Sequence, residues 1–369
     1  MNLDYSDSDK ELKAELRRFL QKTCPTTRVR KVLDGDSQEP RRMTAELAEM
    51  GWIAAAMPER FGGQELSYVA LCGIAEELGR ALVPTSYGSS VFLVAEALLL
   101  AGSEAQQRTY LPAFASGQKI GTLALVEGRG PIGPEHVSCT WGAGKLAGEK
   151  VAVVDGLDAD VAVVAAKSGA DVQLFLVDLD GPAVRRVPQN SIDPTRPLAK
   201  LTFRDASAEP LGDGADWSVL RRVLDRAAVL FAFEQSGCAA RALEKARDYA
   251  LSRYAFGRPI GSFQAIKHKL ADVYIANELA RSNAYYAAWA LAKNAPELPL
   301  AAATARVAAC EAFERAAREN MQVHGGVSAT WAHDCHLYYR RARHLGSCIG
   351  TVNQWRDQAA RLLIAQCAA

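Results

Sequence analysis

Lys150-Val-Ala-Val-Val-Asp155, Asp160-Val-Ala-Val-Val-Ala-Ala-Lys167 and Gln173-Leu-Phe-Leu-Val-Asp178 decide the fold. Each run is short, rich in β-branched residues and bounded by Gly, Pro or Asp. Together with 120–126, 183–187 and 199–203 they give residues 119–214 a hydrophobic period of two. No helical pattern of ten or more residues separates them. That argues against a parallel sheet with crossover helices and predicts a small antiparallel barrel or sandwich.

On both sides of this segment the period changes to that of a helix. Toward the N-terminus, Ser8 with Glu11 forms a capping-box pattern, followed by the stripe Leu12, Leu16, Phe19 and Leu20. Further helices are predicted near 41–50, 66–82, 89–102 and 104–116. Toward the C-terminus, Ala- and Arg-rich helical runs cover 217–253, 262–292, 297–323 and 351–366, with breaks at Gly257-Arg258-Pro259 and Gly325-Gly326. Helices of that length pack as a bundle. The expected fold class is α+β multidomain: an all-α N-terminal domain (1–118), an antiparallel β-barrel middle domain (119–214) and a C-terminal four-helix bundle (215–369).

Composition narrows the function classes. The 369 residues are 49% hydrophobic and 23% charged, which fits a folded globular chain with a large core. Forty-three Lys and Arg against 42 Asp and Glu give a net charge of +1, so no global field would hold the protein on nucleic acid or an anionic membrane. Any phosphate must be met locally. The eight cysteines form no C-x-x-C pair, which excludes a zinc ribbon or a thioredoxin-type pair. The acidic start does not read as a signal peptide, and the apolar window from Val91 to Leu100 is interrupted by Glu96. A cytoplasmic protein with no membrane span is expected.

Several local signals are weak. Gly128-Arg-Gly130-Pro-Ile-Gly133 has dinucleotide-loop spacing, but Pro131, Pro134 and the strand-like run from Val137 to Trp141 follow it where a helix is required. His333, Asp334 and His336 suggest a metal, yet no further ligand is recognisable, so a solvated or hydrogen-bonded pair is expected and no metal. Arg340, Arg341 and Arg343, like Arg221-Arg222, read as a solvated helix face or as salt-bridge partners.

The segment Arg253-Tyr-Ala-Phe256-Gly257-Arg-Pro-Ile-Gly-Ser-Phe263-Gln264-Ala-Ile-Lys-His268-Lys-Leu-Ala271-Asp272 differs in kind. A long helix ends in Arg, a tight turn follows, and a new helix opens with Ser262 as a plausible N-cap. An Arg fork beside a helix N-terminus suits a diphosphate; a helix–turn–helix corner whose Arg caps carbonyls is the plain alternative. With Met50-Gly51-Trp52, Pro58-Glu59-Arg-Phe-Gly62-Gly63, Glu76-Glu-Leu-Gly79, Gln322-Val-His-Gly325-Gly326 and Gly350-Thr351, this block resembles the acyl-CoA dehydrogenase family along essentially the whole chain.

The resemblance implies a flavoprotein that oxidises an acyl-CoA thioester to its 2,3-enoyl-CoA, passes electrons to an electron-transfer flavoprotein-type acceptor, and assembles as a tetramer with FAD shared between neighbouring subunits. It implies that Arg253 binds the FAD diphosphate with Phe256 and Gln264 nearby. Gln322, Gly325 and Gly326 would line the adenosine side, and Thr351 would meet the cofactor. A carboxylate should remove the α-proton. Here the departures begin. Ile349 occupies the place of the usual Glu before the terminal Gly-Thr, and Ala227 occupies the alternative place, with Asp225 turned about 200° away around the helix. The flavin-contacting Thr-Glu-Pro is Val126-Glu127-Gly128, and the Trp-Ile-Thr segment is Ala152-Val153-Val154. The catalytic residue is therefore unknown. Two readings stand: an active acyl-CoA dehydrogenase with a base elsewhere, such as Glu127, Asp155 or Glu234, or a non-catalytic subunit of a heterotetramer that completes its partner's FAD site.

Overall fold

The structure is a computed structural model that describes residues 5–368. In chain order its helices and strands are α1 (Asp7–Thr23), α2 (Thr26–Leu33), α3 (Glu39–Glu49), α4 (Tyr68–Arg80), α5 (Glu96–Ala101), α6 (Glu104–Ala115), β1 (Gly121–Ala124), β2 (Thr140–Gly142), β3 (Lys145–Val154), β4 (Val161–Ser168), β5 (Asp171–Asp178), β6 (Val184–Gln189), β7 (Leu198–Ser207), β8 (Glu209–Pro210), α7 (Trp217–Ser252), β9 (Tyr254–Ala255), β10 (Arg258–Pro259), α8 (Gln264–Ala292), α9 (Leu298–His324), α10 (Cys335–Leu345) and α11 (Val352–Ala368). By contacts they form two compact units. One holds, of the described residues, 5–30, 68–83 and 228–368; the other holds 31–67 and 84–227.

The first unit is a helical bundle. Helices α8 and α9 bury rows of alanine, among them Ala280, Ala284, Ala287, Ala302, Ala305, Ala309 and Ala316, and small side chains let helix axes approach closely. Helices α4 and α7 meet through glycine on both sides. A Cβ at Gly79 would lie 1.9 Å from the Glu234 carbonyl oxygen, and one at Gly237 would lie 1.9 Å from that of Glu76. Overpacking at backbone contact costs about 1–3 kcal/mol or more. Gly237→Ala is accordingly expected to lower the unfolding free energy by that amount, and an unchanged denaturant midpoint would contradict the contact. The acidic pair beside Gly79 fastens α1: Glu77 takes Arg17 through two bonds of 2.6 and 2.8 Å, and Glu76 accepts Lys13 Nζ at 2.6 Å and Tyr5 Oη at 3.0 Å.

That fastening relocates the first cap. Ser6, and not Ser8, is the N-cap of α1, accepting from Asp9 N at 3.1 Å, because the buried Tyr5 anchors the chain one residue before it. Helices α2 and α10 lie outside the predicted runs. The helix expected over 89–102 is π-helical across Gly88–Ala95 before it becomes α5. Among the described residues no helix is long and apolar enough to cross a membrane.

The second unit carries the sheet, and here the antiparallel expectation is corrected. The path β6-β7-β3-β2-β4-β5-β8 ends on β6 and β8 instead of closing, and β1 pairs parallel with β4. The reason lies in one interrupted strand line. Residues 121–124 of β1 pair with 161–164 of β4, and further along the same edge Thr140 of β2 pairs parallel with Lys167. The chain between them leaves the sheet as a loop, so β1 and β2 act as two halves of one strand. Strand β3 returns antiparallel to both, with Val151 N donating to Val126 O at 2.7 Å. The turn from β3 to β4 arches over the start of β1, where Asp160 accepts from Ile120 N at 2.6 Å. No helix lies between β1 and β8 beyond a single 3-10 turn at Pro134–His136. Alternate residues Ala162, Val164, Ala166, Phe175 and Val177 line the core of this sheet.

Candidate functional site

Helix α7 stops where Arg253 N bonds to Tyr249 O at 2.8 Å, and the chain turns through the β9–β10 hairpin. Both of its turn residues have positive φ, 53° at Phe256 and 76° at Gly257, the mirror-image turn that a two-residue hairpin favours. Glycine supplies this freely at the second position, whereas Phe256 bears strain there. The Phe256 ring is 95% exposed and meets Phe263 edge-on at 6.3 Å, and the Arg258 guanidinium lies over Phe263 at 4.0 Å. Ile260 N closes the hairpin on Arg253 O at 2.8 Å. The backbone of Arg253 is thus held at both ends while its side chain is exposed. Its guanidinium makes no hydrogen bond or ion pair among the described residues, so it is available to an anion, and the alternative of an Arg capping carbonyls does not hold. Ser262 does not cap α8: the N-cap is Phe263 without a side-chain bond, and the buried Ser262 hydroxyl makes no hydrogen bond among the described residues.

A small apolar cluster draws the other carried-over residues to the same end of the bundle. Ala246 and Ala250 of α7, Val323 of α9, and Tyr249, Ile260, Ile266 and Leu270 pack together. Gln264, Gln322, Gly325 and Gly326 stand beside these residues in sequence and are all exposed. The structure therefore gathers Arg253, Phe256, Gln264, Gln322, Gly325 and Gly326 around one cluster. Thr351 lies elsewhere. It belongs to the turn that follows Leu345, whose carbonyl oxygen accepts from Arg306 near the start of α9. Arg306 and Gln322 are separated by roughly 24 Å at the helical rise of 1.5 Å per residue. Thr351 also serves locally as a reciprocal cap for α11, accepting from Gln354 N at 3.4 Å while its own N–H bonds Gln354 Oε1 at 3.1 Å.

The positions where a base is sought hold none. Ile349 is buried, and its carbonyl accepts from Trp355 Nε1 at 3.2 Å. Ala227 is buried, and its polar neighbours are engaged: Asp225 by Arg221 at 2.9 Å and Arg226 by Glu96 at 2.6 Å. The three further carboxylates are fastened as well. Buried Glu234 faces Arg341 at 3.6 Å, and buried Asp155 accepts from Ser89 Oγ at 2.5 Å. Glu127 meets the fully buried Lys150 Nζ at 2.5 Å and accepts from the backbone N–H groups of Ser138 and Cys139 at 2.7 and 3.0 Å. Burial alone would raise the Glu127 carboxyl, but the Lys150 ammonium and these N–H groups outweigh it and hold it below the usual carboxylate range. A carboxylate so stabilised is a poor proton acceptor.

Glu127 instead ties down the loop from Leu125 to Ser138, which walls a cavity of about 170 Å³. Farther along β3, Ala152 takes a positive φ at a bulge, and its N–H donates to Gln189 Oε1 at 2.7 Å. Both places where the resemblance calls for flavin contacts thus carry local fastenings of other kinds. The Gly128–Gly133 segment is part of the same loop and precedes a strand, which excludes the dinucleotide fold for it.

The helical bundle with an exposed arginine hairpin, together with a curled mixed sheet, defines the class of a flavin-dependent dehydrogenase fold. The family description "Acyl-CoA dehydrogenase, N-terminal domain" matches residues 6–118, and "Acyl-CoA dehydrogenase, C-terminal domain" matches residues 212–364. Acyl-CoA dehydrogenase IpdE2 of Mycobacterium tuberculosis is 39% identical over 296 residues, covering 80% of this chain and 77% of that protein. The solved ChsE4-ChsE5 complex from Mycobacterium tuberculosis superposes with a TM-score of 0.90 at 27% identity, covering 99% of each chain. The Tcur3481-Tcur3483 steroid ACAD does so with a TM-score of 0.90 at 28% identity, covering 98% of this chain and 99% of that one. The chain belongs to the acyl-CoA dehydrogenase family, and its cofactor is FAD.

Proposed function

We propose that this chain is the base-less subunit of a heterotetrameric acyl-CoA dehydrogenase, lending the Arg253 hairpin to FAD seated mainly in a homologous partner. The observation that carries this reading is an asymmetry. The hairpin and its cluster present an unpaired guanidinium, a polar Gln264 and the bare backbone of Gly325-Gly326 at one end of the bundle. Every carboxylate considered as a base is replaced or tied into an ion pair or hydrogen bond. Bound FAD supplies the hydride acceptor. Toward it, this chain's residues bind and orient: Arg253 neutralises diphosphate charge, Gln264 and Gln322 offer hydrogen bonds, and the glycines permit close backbone approach. The exposed Tyr274, Ile275 and Leu279 of α8 support burial of that helix face in an assembly. The likeness to a steroid ACAD supports a bulky acyl-CoA as substrate, with an electron-transfer flavoprotein-type acceptor for the electrons.

Arg253→Ala tests the arm. Losing one charge-assisted contact costs about 1.5–3 kcal/mol, so flavin retention by the complex should fall roughly ten- to hundredfold. Unchanged retention, measured by flavin fluorescence after dilution, would contradict the assignment.

A further inference from the structure

We propose that His324, His333 and Cys335 form a binding site for a divalent ion of the zinc class. The sequence grouping of His333, Asp334 and His336 does not survive folding. Asp334 turns to Arg30 at 3.0 Å and Lys245 at 3.6 Å, and His336 Nε2 turns to the Trp331 carbonyl at 3.1 Å. In their place His324, from the last turn of α9, comes beside His333 and the first residue of α10. One ligand atom from each of His324, His333 and Cys335 lies within 4.8 Å of the others.

The surroundings are those of a built site. His324 Nδ1 donates to the Asn320 carbonyl at 2.8 Å, which sets its tautomer and leaves the Nε2 lone pair for an ion, the usual support of a metal-bound histidine. Its ring is held by stacking on Tyr249 at 4.1 Å. His333 Nδ1 accepts from Cys335 N at a long 3.2 Å, and an ion at that nitrogen takes the place of this bond. A second, independent observation points to a ligand. Asn320, wholly buried, sets its side-chain NH2 against the Cys335 sulfur in a contact that favours the thiolate, which leaves its carboxamide oxygen without a hydrogen bond among the described residues. A buried acceptor left so is costly, and that oxygen or a water completes four-coordination. Two imidazoles and a thiolate select zinc or cobalt over magnesium or calcium. On binding, the thiol proton leaves to water as sulfur coordinates. The ion would staple the Gln322–Gly326 turn to the start of α10, a role that does not depend on the proposed activity.

Titration of the purified full-length chain with Co(II) tests this. Saturable binding with a thiolate-to-cobalt charge-transfer band, displaced by Zn(II), is expected. Cys335→Ala should remove the band. His333→Gln, at a partly exposed position that leaves no core cavity, should weaken binding about tenfold or more and abolish any rise in melting temperature caused by Zn(II). Cys367→Ser, which alters an exposed thiol, should leave all of this intact. No saturable band, or a band that survives in both Cys335→Ala and His333→Gln, would overturn the proposal.

Discussion

Alone, the purified chain is expected to oxidise acyl-CoA thioesters about 10²–10⁴-fold more slowly than the assembly with a homologous partner that bears a Glu or Asp base, because positioned general bases contribute rate factors of that size. The argument is local. The α-proton needs an acceptor within hydrogen-bond reach. Ile349 and Ala227 offer only buried hydrocarbon, and Glu127, Asp155 and Glu234 each have a stronger claim on their charge. Steady-state assays of the chain with and without its partner measure the difference. Turnover by the chain alone that disappears in Glu127→Gln, Asp155→Asn or Glu234→Gln would reveal a base among the carboxylates assigned here to structure.

Glu127→Gln is the second large effect, and it concerns stability. Lys150 is fully buried, and among the described residues its ammonium reaches, besides Glu127, only the Leu125 carbonyl, at 3.3 Å. Removing one partner of a buried pair typically costs about 3–5 kcal/mol, since it strands an uncompensated charge. Chemical denaturation should show a loss of that order. The direction with pH follows from the lowered Glu127 carboxyl. A group with a depressed folded value contributes fully above its unfolded value, about 4.3 for glutamate, and loses that contribution as pH falls through the folded value. The gap between wild type and Glu127→Gln should therefore be full at neutral pH and narrow in acid. A gap independent of pH would show that the carboxylate is not what Lys150 requires.

Much of the fold was legible in the sequence because hydrophobic period reports local burial, and the switch at residues 119–214 falls where the strands are. The direction of β1 was not legible. Its pairing with β4 is fixed by a partner some forty residues away, and two separate strands share one edge, a fact no local period carries. The π-helical stretch at Gly88–Ala95 and the cap at Ser6 were likewise decided by tertiary contacts. At the site, the Arg253 block was readable because a helix end, a turn glycine at Gly257 and a helix start follow one another in sequence. The roles of Glu76 and Glu77, and of Glu127 with Lys150, were not, since each carboxylate finds its cation across the fold. The same holds for His324, whose neighbours His333 and Cys335 are brought back by the turn at Gly325-Gly326.

Native mass spectrometry with flavin quantification, on the chain alone and co-purified with its homologous partner, tests the central claim most directly. The account predicts that the chain alone retains little FAD, and that the complex is a mixed tetramer holding fewer FAD molecules than chains. A homotetramer carrying one FAD on every chain would contradict it.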